Sequence, residues 1–360
     1  MKLLLLILPL VISFNLPGPF FEPENRESGP RRRRLQAEAA EPPGEPDVVV
    51  AQDGSGNFET IKEALEASVK RENDDEKFVI YIKAGIYEEY LVVSDDMKNV
   101  MLLGDGIGNT IITGSHCTME GIYRTWNAST VVVVADGFVG RDITFQNTAG
   151  PSRGQAPAIT VNSDQAAFYR CSFEGYQDTL YAKQGDQFYR DCDIYGTVDF
   201  VFGNATAIFQ RCNIYVRKPP GNEAVIAASS RDSAEATTGL VFQSCHVMAA
   251  PELQSVVDSY KIYLGRPWKP YARTVYIKND LDIPIDPSGW LEWENRSDAR
   301  TVDYREFNNR GIGSATGGRV GWPGYRVMKG SREAEEFTVR KFLKGDEWLP
   351  ATGVMFHSGL

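Results

Sequence analysis

Phe168-Tyr-Arg-Cys171, Phe188-Tyr-Arg-Asp-Cys192, Phe209-Gln-Arg-Cys212 and Phe242-Gln-Ser-Cys245 are four versions of one segment, and Phe138-Val-Gly-Arg-Asp142 reads as a fifth. Successive phenylalanines lie 30, 20, 21 and 33 residues apart, a period that belongs to solenoids and arrays. Around each segment run short stretches of β-branched and aromatic residues, such as Val131 to Val134, Asp199 to Phe202 and Ala207 to Phe209, punctuated by Gly, Asn or Asp. Those are strand signals with turn signals between them. Two or three such strands per repeat make one coil of a parallel β-helix, in which equivalent residues of neighbouring coils stack about 4.8 Å apart. The fold class expected is therefore all-β, a parallel β-helix. The spaced leucines of a leucine-rich repeat are missing.

Working outward, Thr60-Ile-Lys-Glu63 is a capping box, followed by Ile61, Leu65 and Val69 at four-residue spacing. A short amphipathic helix is expected there, capping the open N-terminal end of the stack or lying on its surface. Cys192 and Cys212 occupy matching positions one coil apart. The stacking distance lies within the Cα separation that a disulfide tolerates, so a bond between them is expected, with Cys171 as the competing partner of Cys192.

The 360 residues carry 42% hydrophobic and 24% charged side chains, the balance of a folded chain. Net charge is −10, and residues 1–46 hold six basic and six acidic side chains, so the folded part carries the whole imbalance. That argues against nucleic acid and anionic membranes as partners. Met1-Lys2 followed by the apolar run Leu3 to Ile12 reads as a secretory signal, too short to span a bilayer. Arg31 to Arg34 then suit either a processing protease or a solvated linker, and the fold is expected to begin near Asp47.

Several polar residues share the coil period. Gln155, Gln177 and Asp199 are spaced by 22 and 22, and Asp178 precedes Asp199 by 21. On a solenoid they share a face, and two carboxylates held close cannot both ionise freely. Acid–base or covalent carboxylate chemistry needs such a pair; a ladder of turn-satisfying Asn, Asp and Gln is the plainer reading. Asp199 lies within the apolar run Val198 to Phe202, where a carboxylate is costly unless paired or functional. Arg266, 67 residues on and close to three coils away, is a natural bidentate partner. None of the three histidines adjoins a serine in a nucleophile-elbow sequence, and no His or Cys spacing suits zinc.

At these residues the chain resembles the plant pectin methylesterase family. The matching segments run from Asp47-Val-Val-Val-Ala-Gln-Asp-Gly-Ser-Gly56 through Gly85-Ile-Tyr-Glu-Glu89, Gln177-Asp-Thr-Leu-Tyr181 and Gly196-Thr-Val-Asp-Phe-Val-Phe-Gly-Asn204 to Leu264-Gly-Arg-Pro-Trp268. The resemblance implies a right-handed parallel β-helix and hydrolysis of the C6 methyl esters of homogalacturonan, with residues 47–360 as the catalytic domain. Asp199 would be the nucleophile, Asp178 the proton shuttle, Gln155 and Gln177 the oxyanion donors, and Arg266 the group that holds Asp199 ionised. Tyr123, Tyr181, Phe202, Trp268 and Trp290 match groove-lining aromatics. No metal or organic cofactor is implied. Pectin is the implied partner, with an inhibitor protein of the family's usual kind as another and a monomer as the expected state.

Two departures stand out. Residues 1–46 leave no room for the inhibitor-like region that commonly precedes the enzyme, so a short, single-domain, secreted form is expected. Pro157 stands in Gln155-Ala-Pro-Ala-Ile159 where the family usually has Val; proline removes a backbone donor, so Gln155 is expected to shift and activity to be reduced but present. Asn127-Ala-Ser and Asn295-Arg-Ser are glycosylation sequons, while Asn204-Ala-Thr is expected to be buried. A catalytically impaired pectin-binding relative and a polygalacturonate-cleaving β-helix enzyme are the alternatives; an inverting glycosidase would also use two carboxylates.

Overall fold

A computed structural model describes residues 44–71, 73–293 and 298–360 of the chain. The signal-like run, Arg31 to Arg34 and Asn295 lie outside those residues. Within them, three parallel sheets of 11, 7 and 8 strands wind into a right-handed β-helix. One coil runs through Asp186–Arg190, Asp193–Gly196 and Val198–Gly203, and the next through Thr206–Gln210, Asn213–Val216 and Glu223–Ser229. Each strand pairs with its counterpart one coil away.

The repeated aromatic is a stacked column in the core. Phe168 pairs with Tyr189, Tyr189 with Phe209, Phe209 with Phe242 and Phe242 with Tyr276. Their ring centroids lie 5.0, 4.6, 4.9 and 4.7 Å apart. This corrects the sequence register by one residue in the second repeat. Tyr189 enters the column, and Phe188 turns to the opposite face of its strand, where it packs with Ile208 and Val241. Gly140 holds the column position in the fifth repeat; a Cβ there would lie 2.8 Å from the Phe168 ring.

That outer face is covered by the C-terminal segment, through Phe337, Val339, Leu343, Trp348 and Leu349. The central strands of the 11-stranded sheet are thus buried on both faces, which is why Thr206–Gln210 and Gly239–Gln243 are buried at every residue. The N-terminal end carries the expected helix, Ile61–Ser68, capped by Thr60, whose hydroxyl oxygen accepts from Glu63 N at 3.3 Å. Glu89 adds its carboxylate to the free N–H groups of Ile61 and Lys62, both at 3.0 Å, where an anion complements the helix dipole. Its inward face is Ile61, Ala64, Leu65 and Ser68. Val69 lies past the last turn and is exposed.

All five cysteines are free and buried, so the expected Cys192–Cys212 bond is not formed. Cys171, Cys192, Cys212 and Cys245 do occupy one column, preceding register-matched Ser172, Asp193, Asn213 and His246. The Sγ atoms of the last three reach carbonyls of the preceding coil, Cys192 to Phe168 O at 3.6 Å, Cys212 to Tyr189 O at 3.5 Å and Cys245 to Phe209 O at 3.2 Å, while that of Cys171 meets Tyr169 O of its own coil at 3.6 Å. Parallel stacking keeps neighbouring Cβ atoms near the sheet spacing of about 4.8 Å, whereas a disulfide draws them to about 3.8 Å and turns them across each other. The coil spacing satisfies the thiols without closing the bond.

Candidate active site

Asp178 lies in the turn before strand Leu180–Gln184, and Asp199 in strand Val198–Gly203. Because Leu180 pairs with Val201, the two aspartates are equivalents on neighbouring coils. Asp178 N donates to Val198 O at 3.0 Å, pinning the two coils together. Both residues have positive φ, +64° at Asp178 and +51° at Asp199, a conformation that Asp tolerates better than most and that clusters at functional sites. The Asp199 strand also carries one extra residue against its next neighbour, since Val198 pairs with Val225 but Val201 with Ala227. Such a bulge re-aims a side chain, and here it lets Asp199 leave a run whose Phe200 and Val201 are fully buried.

Arg266 clamps that carboxylate bidentately, Nε to Oδ1 at 2.8 Å and Nη2 to Oδ2 at 2.6 Å. It stands two strands away rather than three, following Lys261–Gly265, and Arg266 N donates to Ala227 O. Long loops between strands consume the remaining sequence. The intervening strand offers the small residues Ala227 and Ala228, over which the guanidinium can reach.

Asp178 and Asp199 are 8% and 5% exposed. Burial pushes the Asp178 carboxyl well above the ordinary range, the Asp199 charge pushes it further, and Arg266 only partly opposes this. Burial raises Asp199 as well, but Arg266 opposes it through both hydrogen bonds and charge. Asp178 is therefore the group that holds the proton, and Asp199 the one that ionises.

Gln177 immediately precedes Asp178, the Gln155 segment is hydrogen-bonded to it through Ala156, and both glutamines are half-buried. Gln177 O accepts from Ala156 N at 3.2 Å, while the Gln155 Oε1 accepts from the Thr118 hydroxyl at 2.6 Å. Pro157 leaves the ladder toward Gln177 intact, for Ala158 N also donates to Thr179 O at 2.8 Å. A donor at 157 would face the opposite coil, where Asn147 Nδ2 reaches Ala128 O at 3.4 Å and Pro157 O at 3.1 Å.

Three of the five expected aromatics come together. Tyr181 stacks on Phe202 at 4.2 Å, and Trp268 stands 6.3 and 5.9 Å from them. Phe202 is only 2% exposed, so it offers almost no surface of its own to a ligand. Trp290 is 1% exposed and stacked on Tyr304 at 4.2 Å. Its bridge to Gly265 turns it into the core, so it is not a groove residue. Trp293, three residues on, lies 6.5 Å from Trp268 with the Arg266 guanidinium 4.4 Å over its ring. Tyr123 stacks instead on His116 at 4.2 Å. Trp126, which the sequence reading passed over, is 44% exposed and carries the Lys183 ammonium 5.7 Å from its ring. Among the described residues no group of three or more His, Cys, Asp or Glu is arranged to hold a metal ion.

The Pectinesterase family model matches residues 47–346. Pectinesterase 2 of Citrus sinensis is 51% identical over 314 residues, 87% of this chain and 61% of that protein; the chain thus spans under two thirds of this curated relative. Among solved structures, a pectin methylesterase from carrot superposes with a TM-score of 0.85 at 44% identity, covering 89% of this chain and 99% of the other. A pectin methylesterase in complex with a hexasaccharide matches with a TM-score of 0.67 at 25% identity, covering 83% and 97%.

Proposed function

The chain belongs to the pectinesterase family, and from that premise we propose that residues 47–360 act as an aspartyl esterase on methyl-esterified homogalacturonan, releasing methanol and free galacturonate carboxylates. The observation that carries the reading is the buried pair of carboxylates on adjacent coils, only one of which is clamped by an arginine.

The ionised Asp199 attacks the ester carbonyl carbon, and the negative charge passes to the carbonyl oxygen. Amide N–H groups of Gln155 and Gln177 receive that oxyanion, an effect worth about 3 kcal/mol per donor. Collapse breaks the bond to the methoxy oxygen, which takes the Asp178 proton and leaves as methanol. The resulting acyl-enzyme is an anhydride. Asp178, now a carboxylate, accepts a proton from the water that attacks the sugar acyl carbon, Asp199 leaves as carboxylate, and the starting protonation is restored. Arg266 keeps Asp199 charged despite its burial, which is what a bidentate guanidinium does better than an ammonium. Tyr181, Trp268 and Trp293 give a sugar ring apolar faces to lie against.

Methanol titration on highly methylated pectin tests this. Wild type should release methanol without new reducing ends, and Asp199→Ala should lose at least about a thousandfold in rate, the scale on which removing a nucleophile leaves only binding and oxyanion effects. New reducing ends would favour a chain-cleaving enzyme instead, and an inactive wild type that still binds pectin would favour the impaired relative. Secretion to a plant cell wall and sugar on Asn127 belong to the same proposal. Asn127 is half-buried with its Oδ1 accepting from Arg124 N at 2.7 Å; Asn204, expected to be buried, is half-buried too, and its Oδ1 accepts from the Thr238 hydroxyl at 2.6 Å. An inhibitor protein is a proposed partner on the strength of the resemblance alone.

A further inference from the structure

The oxyanion donors assigned above are primary amides, and an amide helps only if its NH2 end, not its oxygen, faces the reacting ester. Gln155 carries one acceptor and two donors on a side chain with free torsions, so something must choose its orientation. The described contacts supply one chooser. The Thr118 hydroxyl donates to Gln155 Oε1 at 2.6 Å, and Thr118 N donates to Gln155 O at 3.0 Å. The second bond fixes the distance between the two segments, and the first engages the amide oxygen.

The approach is close by construction. Gly154 has φ of +69°, and a Cβ there would lie 3.2 Å from Thr118 Oγ1 and 3.3 Å from Met119 Cγ. A side chain at 154 would therefore be strained twice, by its backbone and by its neighbour. The Thr118 segment is itself anchored on its other side. Asn147 Nδ2 donates to His116 O at 3.0 Å, and the His116 ring lies between Tyr90 and Tyr123, 3.6 and 4.2 Å away. Thr118 thus stands on a held segment rather than a free loop.

We infer that Thr118 is a positioning residue for the esterase reaction, turning the Gln155 amide so that its N–H groups meet the oxyanion formed at Asp199. This rests on the proposed function, in which Gln155 is a donor. Thr118 touches no reacting atom and acts through Gln155 alone. A donor that is present but free to turn contributes mainly in the transition state, so its misorientation lowers kcat and leaves KM almost unchanged.

The test compares Thr118→Val and Thr118→Ser with wild type in methanol release from methylated pectin. Val keeps the shape and lacks the hydroxyl; Ser keeps the hydroxyl. Thr118→Val should lose roughly tenfold or more in kcat with KM within about twofold, a part of the 10²–10³ that deleting a donor outright costs. Thr118→Ser should recover most of that loss. In a Gln155→Ala background, Thr118→Val should cost nothing further, since coupled residues are not additive. Three results would each overturn the inference: kcat unchanged in Thr118→Val, a loss carried by KM, or an undiminished loss on top of Gln155→Ala. If Val is not accommodated and the melting transition shows it, the smaller Thr118→Ala removes the same hydroxyl and must give the same split. The two readings fail separately: an active Asp199→Ala would sink the esterase proposal, whereas an inactive Asp199→Ala beside an unimpaired Thr118→Val sinks only this one.

Discussion

At the scale of single residues, chemistry here depends on unequal treatment of two equivalent positions. Asp178 and Asp199 are register mates, both buried and both at positive φ. Only Asp199 meets a guanidinium, and that difference sets which carboxyl keeps its proton. Asp178 has a consequence for stability whose sign can be worked out. In the unfolded chain an Asp titrates at about 3.9, while folding raises Asp178 well above that, first through burial and then through Asp199. The stability it contributes is complete below about pH 4 and is lost as pH rises through its folded value. Asp178→Asn cannot titrate, so its melting temperature should gain on wild type as pH rises from about 4 toward 8, while methanol release collapses. A constant difference across that range would show that Asp178 is not carrying the raised value. The same group should set the alkaline limb of the kcat/KM profile, since the free enzyme needs Asp178 protonated to release methanol.

At the scale of elements, the thiol column and the aromatic column express one rule, that parallel register repeats a side chain every coil. The denatured chain should show five titratable thiols without any reductant, and the native protein almost none within minutes, because every cysteine is buried. Three thiols in the unreduced denatured chain would restore the Cys192–Cys212 bond. The repeat was legible in the sequence because Phe and Cys recur at a readable spacing, and so was the pairing of Asp178 with Asp199. What was not legible came from two sources. Register inside a repeat is counted back from the cysteine: Tyr189 stands three residues before Cys192 as Phe168 does before Cys171, so Phe188 matches Ala167 and turns to the outer face. Contacts across variable loops leave no period at all: Thr118 reaches Gln155 and Trp293 reaches Arg266 through segments with no counterpart in other coils. Trp290 was misplaced for the same reason, since only the bridge to Gly265 tells it apart from Trp293. A Trp293→Ala substitution should therefore weaken pectin binding more than it weakens folding, and Trp290→Ala should do the reverse, costing about 3–5 kcal/mol of stability; denaturant midpoints set against KM values would separate the two.

At the scale of the whole molecule, one rigid stack supplies both the precision of the site and its electrostatic surroundings. Each inner coil is hydrogen-bonded to two others, so an aspartate beside a bulge on one strand and an arginine two strands away can be held to the spacing that a bidentate clamp requires. The same stack carries a net charge of −10 in residues 47–360, with the 1–46 segment neutral. Every ester cleaved turns a neutral sugar into an anionic one, so the product is repelled where the substrate was not, and the enzyme should leave a pectin chain after few turnovers. Repulsion of this kind is screened by salt. Raising ionic strength from about 10 mM to about 150 mM shortens the Debye length from about 30 Å to about 8 Å, and the mean length of contiguous free-galacturonate blocks should grow across that interval as the product is released less readily. Fragment analysis after limited reaction would reveal it. Long blocks already present at the lowest salt, or blocks that shorten as salt rises, would mean that local contacts along the groove outweigh the field of the molecule.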